Sequence, residues 1–285
     1  MADTPGPERL ARASPGPVLE RSFVVIDRVG ELTERRIWEQ GITHWDEFLD
    51  RTAVGPFGRA RKDEADHALG LAKESLAKRD TDALAAMLGA RHLWRLYPSF
   101  IDEAAFVDIE TTGLSRMSAI TVVGVLLGGR FRTLVRFRDL DRRTLGSALE
   151  GARMLVTYNG AGFDLPMLRL HHPLGALELP NLDLRFAARR VGLRGGLKRV
   201  ERELGLARDR EFAMMTGNDA VRLWHLWERK GNARALELLL RYNEADVVNM
   251  RTVAREVCAR LERTLAPLGD AGAMFINRQD ISTKG

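Results

Sequence analysis

Phe106-Val107-Asp108-Ile109-Glu110-Thr111-Thr112-Gly113 is the stretch on which the fold turns. From Ala104 onward its apolar and β-branched residues read as a strand. A period of two then puts Phe106, Asp108 and Glu110 on one face and Ala105, Val107 and Ile109 on the other. At a rise of about 3.3 Å per residue, the Cα atoms of Asp108 and Glu110 lie roughly 6.6 Å apart. Both carboxylates can reach one cation, and without it their charges repel. The alternative on this stretch alone is an edge strand with a solvated polar face.

Downstream, Ala119–Leu127 and Phe131–Phe137 read as two more strands joined by a turn at Gly128-Gly129-Arg130. A helix is expected over Arg142–Gly151, followed by a short apolar strand at Met154–Tyr158. Three strands followed by helix, strand and helix give an α/β protein with a mixed sheet. In such sheets, chemistry gathers where strands end and loops begin. There the segment Tyr158-Asn159-Gly160-Ala161-Gly162-Phe163-Asp164-Leu165-Pro166 makes a tight strand exit and places Asp164 at a helix start, with Pro166 in the first turn. By itself Asp164 reads equally as an N-cap. On the last long helix, Tyr242 and Asp246 are four apart and share a stripe with Met250, Val253, Val257 and Leu261. A carboxylate in an apolar stripe is costly unless something compensates it, and a metal ion would.

Asp-x-Glu-Thr-Thr-Gly, Asn-Gly-x-x-Phe-Asp and Tyr-x-x-x-Asp, in that order on this strand pattern, resemble the DEDD superfamily of 3′ to 5′ exonucleases in its tyrosine-containing branch. The segments Leu197-Lys198-Arg199-Val200-Glu201-Arg202-Glu203-Leu204-Gly205-Leu206 and Tyr242-Asn243-Glu244-Ala245-Asp246 are similar to those of the YprB-like ribonuclease H-like proteins. The resemblance covers roughly residues 100 to 262. It implies a ribonuclease H-like mixed sheet flanked by helices, with Asp108, Glu110, Asp164 and Asp246 binding two Mg²⁺ or Mn²⁺ ions and Tyr242 orienting or activating the attacking water. It also implies that Thr111, Thr112, Gly113 and Leu114 surround the terminal nucleotide and that Asn159 and Phe163 contact its backbone or base. For Phe163 and Leu114 a core role is the competing reading.

The chain of 285 residues carries 44 Lys plus Arg against 39 acids, a net charge of +5. From Arg185 to Arg210 there are nine basic residues and three acids, so this one segment exceeds the surplus of the whole chain. Arg194, Lys198 and Arg199, with Arg189, Arg190 and Arg202, are the expected phosphate-tracking residues, the alternative being a solvated amphipathic helix. The expected partner is therefore nucleic acid, DNA or RNA. A single cysteine, Cys258, excludes a disulfide framework and a cysteine-based zinc site and fits a reducing compartment. No apolar run approaches the roughly 20 residues that span a bilayer, and Asp3, Glu8, Pro5 and Pro7 interrupt any signal-type apolar region, so a cytoplasmic location and no membrane partner are expected.

The N-terminal third reads as a small all-α module. Residues 1–21 are expected as a disordered tail and 22–55 as a helical hairpin, with helices at Glu31–Gln40 and around Trp45 and Phe48. The runs Val29-Gly30-Glu31-Leu32-Thr33-Glu34, Ile37-Trp38-Glu39-Gln40-Gly41-Ile42 and Trp45-Asp46-Glu47-Phe48-Leu49 together resemble a helix-hairpin-helix element of DNA-repair proteins, with Arg28 where that family has its first glycine. Residues 56–98 read as a helical connector, 99–265 as the exonuclease domain and 266–285 as a flexible tail. Two other functions fit the same residues: an endonuclease acting on structured nucleic acid, and a non-catalytic nucleic-acid-binding protein.

Overall fold

The computed structural model describes residues 18–265 apart from 114 and 116. The central strand β1, Ala104–Thr111, has the expected alternation. Ala105, Val107 and Ile109 enter one apolar cluster, while Ala104 and Phe106 enter another on the opposite face. β1 pairs antiparallel with β2, Ile120–Leu127, which pairs antiparallel with β3, Arg130–Val135. The turn between β2 and β3 needs left-handed backbone, and Gly128 and Gly129 supply it at φ 56° and 76°. On its other side β1 pairs parallel with β4, Met154–Thr157, and β4 with β5, Asn181–Asp183. The sheet order is β3-β2-β1-β4-β5. The two parallel connections run through α5, Arg142–Ala148, and α6, Asp164–His171. β4 is buried along its whole length, as a strand covered on both faces must be.

Two sets of helices cover the sheet. α5 and α6 bring Leu145, Leu165 and Leu168 against Val107, Val123 and Leu155. The opposite face is covered by α10, Ala233–Leu265, whose 33 residues extend about 50 Å at 1.5 Å per residue. Its stripe of Val247, Met250, Val253 and Val257 meets Phe106, Met154 and Val156. α7, Leu184–Arg190, and α8, Leu197–Glu203, follow β5, and α9, Gly217–Lys230, packs Trp224 beside Leu239 and Tyr242 of α10. No helix among the described residues is long and apolar enough to cross a membrane.

The N-terminal region contains α1, Glu31–Trp38; α2, Trp45–Leu49; α3, Arg59–Ala77; and α4, Thr81–Leu88. Two boundaries differ from those expected. Val18 and Leu19, placed by sequence in a tail, are buried in the core, because this short apolar pair closes over Phe23 and Trp45. The segment 56–98 is more than a connector: Leu69, Ala72, Leu84 and Leu88 share a cluster with Phe23, Phe48 and Trp94, and that cluster runs without a break into Phe106, Met154 and α10. A buried ion pair staples this region. Glu34 of α1 accepts from Arg95 at 2.7 and 2.8 Å and from the backbone N–H of Phe23 at 2.8 Å, and both charged side chains are fully excluded from solvent. Burial on this scale is tolerable because nearly every lone pair is met. Arg28, at the turn position where the resembled element has glycine, takes the left-handed conformation at φ 58°. Residues 1–17 and 266–285, which hold most of the two expected tails, lie outside the described residues.

Candidate active site

β1 aims Asp108 and Glu110 at the flank of α10, where Asp246 lies one turn beyond Tyr242. One carboxylate oxygen from each of Asp108, Glu110 and Asp246 lies within 4.8 Å of the others. Glu110 and Asp246 are buried and Asp108 half-buried.

Asp164, expected as the fourth ligand, is not one of the three acids that meet within 4.8 Å and is held against β1 by another contact. β4 runs alongside β1 only as far as Phe106, so the Ile109 N–H faces no strand partner there. Asp164, the first residue of α6, accepts that N–H at 3.2 Å through Oδ1. The N-cap position of α6 belongs to Phe163, so Asp164 does not serve as the N-cap.

The electrostatics follow from this crowding. Burial, then the neighbouring acids Asp246, Asp164 and Glu110, pushes Asp108 well above the ordinary carboxylate range, and the hydrogen bond from Asn243 opposes the shift. Burial, then Asp246 and Asp164, does the same to Glu110. Asp164 is pushed up to about 7, chiefly by burial, with the Ile109 N–H holding it down. Asp246 is raised by burial and lowered by Arg208. Such a cluster carries excess negative charge that a cation would relieve. Burial, then Asp246, Glu110 and Asp108, raises the Tyr242 hydroxyl far above its ordinary value, so its proton is retained. The Tyr242 ring packs edge-on against Phe212 with centroids 6.4 Å apart.

Two cations answer the acids. Arg208 bonds Glu201 at 2.5 and 2.7 Å and also donates to Oδ1 of Asp246. Lys198 Nζ lies 4.4 Å from the centroid of the Tyr242 ring, buried and without a hydrogen-bond partner among the described residues. Burial lowers the Lys198 pKa and Asp246 opposes that shift.

Other expected residues fall around this centre. Thr111 is buried and donates to the Gly113 carbonyl at 2.5 Å. Thr112 closes the loop on Ala119, its N–H donating to the Ala119 carbonyl at 2.9 Å and its hydroxyl accepting the Ala119 N–H at 3.0 Å. Leu114 lies outside the described residues. Asn159 takes φ 67°, and its side-chain oxygen accepts from Arg185 at 2.5 Å. Its backbone N–H is held by Asp183 at 2.8 Å, and Asp183 also accepts from Ala161 and Arg185. Phe163 is half-buried against the cluster beneath α6. Arg194 is exposed, Arg199 pairs with Glu203 at 3.0 Å, and Arg190 is drawn away to Glu31 at 3.0 Å.

Sequence reasoning passed over Arg208, Glu201 and Asn243 as parts of the site. Arg208 counted only as one charge in a basic run, and no spacing links it to an acid 38 residues away. Asn243 was legible in principle, since it stands three before Asp246 on the same helix face.

The sequence profile of the RNase H superfamily matches residues 105–258. Among solved structures, the family B DNA polymerase from the hyperthermophilic archaeon Pyrobaculum calidifontis is similar at 19% identity and a TM-score of 0.40, over 57% of this chain and 24% of that one. The chain therefore spans about a quarter of the length of that polymerase. No curated protein matches. The profile covers more than half of the chain, including β1 with its acids, the Asp164 turn and the Tyr242-to-Asp246 turn of α10, and the chain belongs to the RNase H superfamily.

Proposed function

We propose that this protein is a metal-dependent 3′ to 5′ exonuclease acting on single-stranded 3′ ends of DNA or RNA. Membership of the RNase H superfamily supports a nuclease-type activity. The observation that carries the finer reading is the meeting of Asp108, Glu110 and Asp246 within 4.8 Å, with Tyr242 one helical turn from Asp246. These donors fit a hard divalent ion: all are carboxylate oxygens and they repel one another. Asp108, Glu110, Asp164 and Asp246 would hold two Mg²⁺ or Mn²⁺ ions. When bound, such a pair supplies a hydroxide near neutral pH and stabilises charge on the leaving 3′ oxygen.

The chain's own groups do the rest. Burial and the acids beside it hold the Tyr242 proton in the metal-free protein, and its proposed role is to donate a hydrogen bond that orients the water. Asp164 draws its position from the Ile109 N–H and so ties α6 to β1. Thr111 at the end of β1 and Thr112, Gly113 and Leu114 after it in the sequence, together with Asn159 and Phe163, are proposed to border the terminal nucleotide. Arg194, Lys198 and Arg199 are proposed to contact its phosphates, Arg194 being exposed and Lys198 standing beside Tyr242. The helical hairpin around Arg28 and Gly30 is proposed as an accessory contact to longer strands. Its glycine N-cap leaves first-turn N–H groups of α1 for a phosphate. The buried free thiol of Cys258 accords with a proposed cytoplasmic setting.

Covalently closed single-stranded circles and their linear counterparts, incubated with Mg²⁺ or Mn²⁺, test this reading. Degradation of linear strands alone is expected. Cleavage of circles at comparable rates would replace the exonuclease with an endonuclease, and no cleavage of either would favour a binding protein.

A further inference from the structure

Arg208 reaches the acidic cluster from the segment that follows α8, and it is buried there between two acids. Its side chain is 4% exposed and that of Glu201 1%. Nε and Nη2 form the two-pronged contact with Glu201 at 2.5 and 2.7 Å, while Nη2 also donates to Oδ1 of Asp246. Glu201 is fixed in turn by its place on α8, where Val200 beside it is fully buried. Asp246 has no other side-chain partner among the described residues, so one oxygen is held and Oδ2 is left open.

We propose that Arg208 and Glu201 form a positioning pair that holds Asp246 by Oδ1 and presents Oδ2 alone to a divalent cation. This rests on the metal-site reading above and adds an assignment to it, namely that Asp246 is a one-oxygen ligand whose orientation is set by residues outside the acidic cluster. The physical case is one of charge and geometry together. Arg208 and Glu201 cancel each other's charge, so the pair does not repel an incoming cation as a lone arginine would. A guanidinium fork can serve Glu201 and Asp246 at once, which an ammonium cannot do in the same plane. Groups that hold a metal ligand in this way typically contribute about 10- to 100-fold to metal affinity. The rival role for Arg208 is direct contact with substrate phosphate, for which its buried Nη1, without a partner among the described residues, would be free.

The test is Mn²⁺ binding to the full chain without nucleic acid, followed by calorimetry or by the loss of the free-ion electron paramagnetic resonance signal. The parent is compared with the charge-balanced double variant Glu201→Gln/Arg208→Gln and with Arg208→Lys, and the unfolding temperature in EDTA is recorded for each. The parent should bind Mn²⁺, and both variants should bind it at least about tenfold more weakly. Cleavage by Arg208→Lys should return toward the parent kcat once Mn²⁺ is raised to saturation, with KM for oligonucleotide little changed. If the double variant does not fold, Arg208→Lys alone carries the comparison, since it keeps the charge against Glu201. Parent-like Mn²⁺ affinity in a folded variant would overturn the proposal, and a raised KM with that unchanged affinity would assign Arg208 to substrate. Absence of Mn²⁺ binding by the parent would overturn the metal-site reading and the positioning pair with it.

Discussion

Asn243 of α10 donates to Asp108 of β1, with Nδ2 2.9 Å from Oδ2 and 3.4 Å from the backbone carbonyl of the same residue. One side chain therefore fixes both the rotamer of the first acid and the height of the helix above the strand. The contact exists because Gly124, opposite Asp108 on β2, has no side chain. A Cβ there would lie 2.2 Å from Asn243 Oδ1 and 2.9 Å from a methyl of Val247. Gly124→Ala should lift α10 from the sheet and cost about 1 to 3 kcal/mol, the usual range for an overpacked core. Urea unfolding measures it. A variant as stable as the parent and equally active would mean that the helix can shift without disturbing Asp108.

Asp108→Asn should abolish cleavage and yet leave the metal-free protein at least as stable as the parent. Folding pushes Asp108 well above its ordinary range, a cost that an amide does not carry, and the amide oxygen can still accept from Asn243. Added Mn²⁺ should reverse the order, because a cation at a hundredfold excess over Kd stabilises the parent by about 2.7 kcal/mol and the variant has lost a ligand. Thermal unfolding in EDTA and across a Mn²⁺ titration provides the check. A variant that is weaker in EDTA but gains as much from Mn²⁺ would make Asp108 a structural residue.

The raised acids also give stability a pH dependence. Asp164 moves from its ordinary value of 3.8 to about 7 on folding, so between those values the native state holds a proton that the unfolded chain has released. Stability must then fall as pH rises through that window, and Asp108 and Glu110, raised in the same direction, extend the loss upward. In EDTA, the parent should lose more stability between pH 5 and pH 8 than Asp164→Asn, which keeps an acceptor for the Ile109 N–H. Identical slopes for the two proteins would contradict the assigned shift.

Much of this centre is legible in the sequence because strands and helices advertise their faces by period. Alternation in β1 separated Asp108 and Glu110 from Val107 and Ile109, and the four-residue step on α10 paired Tyr242 with Asp246. Asp164 was legible as a residue at a helix start, but not as the acceptor of the Ile109 N–H, since that depends on where β4 stops. Arg208 and Glu201 were opaque for a different reason. Their meeting with Asp246 depends on the path of the segment between α8 and α9, which carries no periodic pattern. Similarly, the burial of Val18 and Leu19 and the continuity of the N-terminal helices with the sheet arise from packing between distant apolar residues, for which local composition gives no signal.

Tyr242→Phe should reduce kcat by about 100-fold, the low end for loss of a positioned proton donor, while Mn²⁺ affinity and KM stay near the parent values. The ring's packing on Phe212 is preserved in phenylalanine, so stability should change little. Unchanged turnover at saturating substrate would remove Tyr242 from the reaction.

The most direct test follows a 5′-labelled single-stranded oligonucleotide over time with Mg²⁺ or Mn²⁺, in parallel DNA and RNA series, with EDTA and Asp108→Asn as controls. The proposed exonuclease reading predicts a ladder of labelled products that shortens stepwise from the unlabelled 3′ end, and the meeting of Asp108, Glu110 and Asp246 predicts none with EDTA or Asp108→Asn. A labelled mononucleotide as the first product, a single internal cut, or undiminished cleavage in excess EDTA would contradict the account.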